Sequence, residues 1–259
     1  MKAQQLQPQK QSLTVYESNP EKIIATPKNT LSNIMLLGGL GNRDCVEYLP
    51  AVVNEFFPHP EGLRALDLGS GHGVAAMALA EMGFQVAAFD MYRSSIVIVS
   101  KLALKESLNI SFGMGGVQHV EKLNQKFELI HDHDIFTCTP SDEQRAEFLA
   151  GVKKSLAPQG KFVLKTLAMS PNYKPEDSFE SLYMDENYVL FRQTPMSDAP
   201  GVVEINGKHW TAQKRIPHAS VIRQELYNAG FQILREELEI PAGNHPATFR
   251  LVLTSAWGR

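Results

Sequence analysis

The chain has 259 residues, 43% hydrophobic and 20% charged, enough for one large α/β domain with a sizeable core. A formal net charge of −3 excludes a broad basic nucleic-acid footprint, and no apolar run reaches the ~18 residues of a membrane span. Two cysteines, Cys45 and Cys138, are too few for a disulfide framework and point to a reduced, cytoplasmic setting.

Residues 1–28 are rich in Gln, Lys and Pro and read as a flexible N-terminal arm, without the apolar stretch of a secretory leader. The domain is expected over 29–259. It opens with a helix or broken helix pair around the glycines at 38, 39 and 41. Val46, Leu49, Val52, Val53 and Phe56 recur there at helical spacing, and Pro58 and Pro60 end the helix.

From Arg64 the pattern alternates. RALDL is a short buried strand, GVAAMALAEM a helix closed by Gly83, and FQVAAFD a strand stopping at Asp90. RSSIVIVSKLALKESL is helical with Ser94 or Ser95 as its cap, followed by the strands NISFGM and KFELIHD. SDEQRAEFLAGVKKSLA is a helix opened by Ser141, with acidic residues in its first turn as the helix dipole favours, and KFVLKTL is a fifth strand. Residues 168–217 show no clear period and carry several aromatics, as expected of a substrate-capping insert. A last helix, ASVIRQELYNAG, precedes two strands joined by PAGNHPA. Strands alternating with helices predict an α/β, Rossmann-like, doubly wound and mostly parallel sheet with a C-terminal antiparallel hairpin.

The segment LDLGSGHG then becomes informative. Gly69, Gly71 and Gly73 free the backbone of a strand-to-helix turn, the place where open α/β sheets bind ligands. Asp90 follows Asp67 at the offset of a carboxylate that holds ribose hydroxyls, so a nucleoside-containing cofactor is expected. Asp67 lies just ahead of the turn. Two like charges ~5 Å apart cost several kcal/mol at an effective dielectric of ~20, which opposes a pyrophosphate and with it a nicotinamide dinucleotide. S-adenosylmethionine, with a sulfonium, an ammonium and no phosphate, fits that charge.

LDLGSGHG, Asp90, FELIHDHDIF, LAPQGKFVL and ELYNAGFQIL together resemble class I S-adenosylmethionine-dependent methyltransferases, over roughly residues 60–257. DHDIFTCTPSDEQRAEFLAGVKKSLAPQG is similar to the small-molecule branch that includes thiopurine methyltransferases. The resemblance implies that Gly69, Ser70, Gly71 and Gly73 meet the methionine end of the cofactor, with Asp67 near its ammonium. It implies Asp90 on the ribose, Met91 and Tyr92 flanking adenine, Met114 and Gly115 at the adenine edge, and Asp132 beside the departing methyl. An NPPY signature of amino-group methylation is absent, and the partner expected is a small molecule, acted on by a monomer or homodimer.

His131, Asp132, His133 and Asp134 raise a further choice. Alternate strand residues share a face, so His131 and His133 form one pair and Asp132 and Asp134 the other. One pair can pack into the sheet while the other lines the cofactor pocket. Alternatively His133 acts as general base, with Asp132 catalytic beside it, or the two histidines organise a metal-dependent enzyme. No third ligand at metal spacing accompanies them in the sequence, so no metal is expected. A catalytically silent binding module on the same fold is the remaining alternative.

Overall fold

A computed structural model describes residues 14–16, 44–115, 120, 123–199 and 201–256. In chain order these form β1 (Thr14–Tyr16), a π-helix (Asp44–Tyr48) running into α1 (Leu49–Phe56), β2 (Arg64–Leu68), α2 (Val74–Glu81), β3 (Gln85–Asp90) and α3 (Arg93–Lys105). Next come β4 (Ile110–Met114), β5 (Phe127–His133), α4 (Asp142–Ser155) and β6 (Leu156–Ala168). The short strands β7 (Leu182–Met184), β8 (Val189–Gln193), β9 (Val202–Ile205) and β10 (Lys208–Arg215) follow, then α5 (Ala219–Asn228), β11 (Phe231–Glu239) and β12 (Ala247–Ser255).

The main sheet has the order β1-β4-β3-β2-β5-β6-β12-β11. Strands β4 to β6 run parallel, and β12 and β11 close the sheet as an antiparallel hairpin with β12 inserted against β6. This is the expected Rossmann-like arrangement, and the order reverses between β2 and β5. Central strands covered on both faces need apolar side chains on both, which is why RALDL and FELIHDH read as near-continuous runs. Leu49, Val52, Val53, Met77 and Val99 fill one face of the sheet, while Phe127, Ile130, Phe148, Leu226 and Phe249 fill the other. The α2 helix is buried from Val74 to Leu79, so its small alanines let it lie close against the strands.

Two elements differ from expectation. Thr14–Tyr16, inside the segment read as an arm, pairs antiparallel with β4 at the sheet edge; the rest of that segment, and the glycines near 38–41, lie outside the described residues. Helix α3 starts at Arg93 with Tyr92 at its cap, not Ser94 or Ser95, because the Asp90 carboxylate already takes the Tyr92 amide. The insert, in turn, is not irregular. It forms a second antiparallel sheet, β7-β8-β10-β9, whose aromatics pack mainly on one another: the Tyr183 ring lies 6.0 Å from Phe191 and 5.9 Å from Trp210.

The glycine turn carries its constraints in detail. Gly69, Gly71 and Gly73 all have positive φ, at 65°, 48° and 74°. A Cβ on Gly73 would meet Val99 Cγ1 at 2.2 Å, and one on Gly69 would meet the Ile135 side chain at 2.2 Å. On Gly71 it would meet only open space, with the Gly69 carbonyl oxygen 3.9 Å away. Gly73→Ala should therefore combine left-handed strain with overpacking and cost roughly 2–4 kcal/mol in urea unfolding, whereas a loss below about 0.5 kcal/mol would contradict the close α2–α3 approach.

Candidate active site

The carboxyl ends of β2, β3 and β4 converge on Asp90. Its Oδ2 accepts the Gly71 amide and its Oδ1 the Tyr92 amide, both at 2.8 Å, and its backbone carbonyl accepts Gly115 N–H at 3.2 Å. The turn is further tied down by Ser70 N–H donating to the Phe89 carbonyl at 2.9 Å. Around this knot lies a cavity of about 290 Å³ lined by Gly69, Asp90, Met91, Tyr92, Gly115 and Ile135, with Cys138, Thr139, Gln144 and Phe148 also on its wall. No lysine or arginine is among its lining residues. Met91 and Tyr92, 64% and 65% exposed, offer apolar surface at its mouth. Met114, the last residue of β4, pairs with Asp90 and is half-buried.

Asp67 and His131 face each other directly across β2 and β5, and His131 Nδ1 lies 2.8 Å from Asp67 Oδ1. Both are buried. Asp67 Oδ2 and the Ser70 hydroxyl, also buried, have no hydrogen-bond partner among the described residues. Strand alternation sends Asp132 to the opposite face. There its Oδ1 accepts the Ile135 amide and its Oδ2 the Phe136 amide, both at 2.9 Å. Asp132 is fully buried and is not on the cavity wall; it shapes the turn that carries Ile135 behind Gly69. Burial pushes its carboxyl up to about 7, opposed by the two backbone hydrogen bonds. The buried Arg145 secures the same turn, donating to the Phe136 carbonyl at 2.8 Å and stacking on the Phe136 ring while paired with Glu225 at 2.6 Å.

His133 returns to the His131 face and borders a second, polar cavity of about 670 Å³ with Asp44, Tyr48, Asp134, Lys165 and Arg250. His133, Lys165, Arg250 and Glu237 stand in register across β5, β6, β12 and β11. Lys165 pairs with Asp134, and Arg250 with Asp44 at 2.5 Å. Burial, then the Lys165 and His131 charges, push the His133 imidazole down to about 4, so it is neutral at physiological pH. The π-helix adds Cys45, whose Sγ is 3.8 Å from His133 Nδ1. Burial, with Asp67 and Asp44 beside it, pushes that thiol up to about 12. Cys45, His131 and His133 are the described residues that could hold a metal, one donor atom from each lying within 4.8 Å of the others.

Cys45 is the site residue that sequence reasoning missed, since it lies 88 positions from His133 and only the fold joins them. The Lys165–Arg250 ladder was equally hidden.

The methyltransferase domain family matches residues 59–213 of this chain. Two curated relatives are ubiquinone biosynthesis O-methyltransferases: that of Rickettsia prowazekii is 26% identical over 129 residues, covering 49% of this chain and 48% of the relative. That of Coxiella burnetii (strain Dugway 5J108-111) is 28% identical over 107 residues, covering 41% and 44%. The chain thus spans about half the length of the curated relatives it matches. Among solved structures, an S-adenosylmethionine-dependent methyltransferase from Clostridium acetobutylicum aligns with a TM-score of 0.60 at 13% identity, covering 88% of this chain and 99% of that one. Magnesium protoporphyrin IX methyltransferase from Synechocystis, solved with its cofactor, gives 0.55 at 14% identity, covering 89% and 86%. At such identities the likeness shows a shared fold. No helix among the described residues is long and apolar enough to cross a membrane.

The neutral His133 sets a pH signature. In the unfolded chain imidazole protonates near 6.5, but in the fold only near about 4. Protonation of the unfolded chain therefore removes stability as pH falls through that window. His133→Asn lacks this loss, so its unfolding free energy should gain on that of the native chain between pH 6.5 and 4 in urea titrations. A gap that stays constant with pH would contradict a buried neutral imidazole.

Proposed function

We propose, for a chain that belongs to the methyltransferase domain family, S-adenosylmethionine-dependent methyl transfer to a small-molecule nucleophile. One observation carries this reading: the Gly69–Gly73 bend is bare and negative. The Cβ position of Gly71 meets nothing nearer than the Gly69 carbonyl oxygen at 3.9 Å, and a buried Asp67 oxygen just ahead of the bend has no partner among the described residues. Among the described residues, no lysine or arginine lines the adjoining cavity to meet a phosphate. A cationic, phosphate-free nucleoside satisfies that oxygen, whereas a pyrophosphate would meet like charge.

When bound, the cofactor supplies an electrophilic methyl carried on a sulfonium. Gly69, Ser70, Gly71 and Gly73 bind its methionine portion, and Asp67 Oδ2 takes the ammonium. Asp90 spends one lone pair of each oxygen on its own loops, and its remaining acceptor capacity holds the ribose hydroxyls. Met91 and Tyr92 cover the adenine, with Met114 and Gly115 at its edge. Asp132 acts from behind, by fixing Ile135 and the cavity wall. The main contribution to rate is alignment of the nucleophile with the methyl, worth up to ~7–11 kcal/mol when it is good.

The names of the Rickettsia and Coxiella relatives favour an oxygen nucleophile. On the polar side His133 accepts the proton of such a hydroxyl; its low basicity keeps that contribution toward the lower end of the ~10²–10⁴-fold usual for general bases. The second sheet, β7 to β10, forms the substrate cap. A net charge of −3 supports a small molecule over a nucleic acid, and two free cysteines support a reducing, cytoplasmic setting.

Calorimetric titration with S-adenosylmethionine, and with NAD as control, tests the assignment. Micromolar S-adenosylmethionine binding is expected and none for NAD. Gly71→Ala puts a methyl group into the open face of the bend, so affinity should drop at least tenfold while stability falls by only about 1–2 kcal/mol, the strain of a left-handed non-glycine residue. Binding of NAD in place of the sulfonium cofactor, or affinity untouched by Gly71→Ala, would overturn the reading.

A further inference from the structure

We propose that Cys45, His131 and His133 form a binding site for a soft transition-metal ion of the zinc class, with three protein ligands and a fourth position open to the polar cavity beside His133. The inference stands on geometry separate from the cofactor site and goes beyond methyl transfer; with the ion bound, His133 is a ligand and no longer the proton acceptor of the metal-free protein.

Three observations converge. First, the donor atoms already lie close: one from each residue falls within 4.8 Å of the others, and Cys45 Sγ stands 3.8 Å from His133 Nδ1. Ligands at the ~2.0–2.3 Å distances of zinc sit roughly 3.3–3.7 Å apart in a tetrahedron, so the widest separation in the cluster needs to contract by about 1.5 Å at most. Second, His131 is oriented from behind. Its Nδ1 is held 2.8 Å from the buried Asp67 carboxylate, which leaves Nε2 as the ligating atom. A carboxylate that fixes the far nitrogen of a histidine is the recurrent outer support of protein metal sites. Third, the donors come from two elements that the fold alone brings together, the π-helix and the end of β5.

The donor set decides the metal. One sulfur and two imidazoles suit Zn²⁺ or Cu⁺ and disfavour Mg²⁺ and Ca²⁺, which take oxygen ligands. Three protein ligands leave room for an exchangeable one. His133 lines the cavity with Asp44, Tyr48, Asp134 and Lys165, so the open position faces polar space suited to water or to an anionic oxygen or sulfur donor. Asp67 serves both readings without conflict: Oδ1 steadies His131, and Oδ2 remains available to a cationic ligand at the glycine bend.

The competing description is a metal-free cluster in which the Cys45 thiol and His133 only hydrogen-bond to each other. Chelator-treated full-length protein, kept reduced and titrated with Co²⁺, separates the two. The expected result is saturation at roughly one ion per chain, with visible d–d bands of tetrahedral intensity and a near-ultraviolet thiolate-to-cobalt band. Zn²⁺ should displace the cobalt. Cys45→Ser should abolish the thiolate band and His133→Ala the tetrahedral bands, while Cys138→Ser, at an exposed thiol, should change neither. Asp67→Asn should weaken cobalt binding by roughly 10–100-fold. Absence of the thiolate band in the native chain overturns the proposal even if every variant misfolds, and so does a band that follows Cys138 instead of Cys45. S-adenosylmethionine titration of the same zinc-free protein keeps the readings apart, since cofactor binding without cobalt binding sinks this inference and spares the other.

Discussion

Asp90 is the constraint on which the rest of the site depends. One residue at the end of β3 ties three loops together: its side chain takes amides from the β2 and β3 loops, and its carbonyl takes one from the β4 loop. A buried carboxylate is tolerated only when donors replace its lost water, and here the donors are the backbone amides whose positions matter. The geometry of the bend follows. Gly71 must present its N–H inward and its bare α-carbon outward, while Gly69 and Gly73 lie too close to Ile135 and Val99 for any side chain. The Asp90 knot also offsets the ordering of the three glycines, each of which surrenders more backbone entropy than any other residue type.

Strand alternation on β5 then sorts the chemistry by face. His131 and His133 point toward Asp67 and Cys45, and Asp132 points toward the turn at Ile135 and Phe136. Four consecutive polar residues thus perform two unrelated tasks. One face carries a titratable row that continues through Lys165 and Arg250, closed over by Asp44 and Tyr48 of the π-helix. The other is a support structure, in which Asp132 and Arg145 hold the backbone that walls the apolar cavity. The two cavities accordingly lie over different halves of the sheet, the apolar one above β4 to β5 and the charged one along β5 to β11.

What the sequence disclosed and what it hid follow from the range of the interactions. The parallel strands and their helices were readable because strands buried on both faces need local apolar runs, and Gly69–Gly73 and Asp90 were readable because their spacing is local. Ser94 and Ser95 misled as caps because propensity takes no account of a carboxylate that has already claimed the preceding amide. The strands of the insert were missed because they are short, three to eight residues, and mostly half-exposed, so neither period 2 nor period 3.6 stands out. Asp132 was expected beside a cofactor; it lies in β5 with its carboxylate on the Ile135 and Phe136 amides, and alternation predicted that it would oppose His131 but not which face the cavity would occupy. Cys45 could not be paired with His131 and His133 at all, since nothing local records a contact across more than 80 residues.

Asp67 gives one oxygen to His131, and its other oxygen is buried with no partner among the described residues. An unsatisfied buried acceptor costs about 1–3 kcal/mol, more when it is charged, and a ligand that brings an ammonium to it recovers that amount on binding. A diphosphate recovers nothing and adds repulsion of about 3 kcal/mol at ~5 Å in an effective dielectric of ~20. The difference, roughly 4–6 kcal/mol, is a discrimination of about three to four powers of ten. On the proposed reading, that one oxygen of Asp67 is enough to favour a cationic over a diphosphate nucleoside at the glycine bend. His131 supports that arrangement from the other side: its Nδ1 lies 2.8 Å from Asp67 Oδ1, and that contact favours one orientation of the carboxylate.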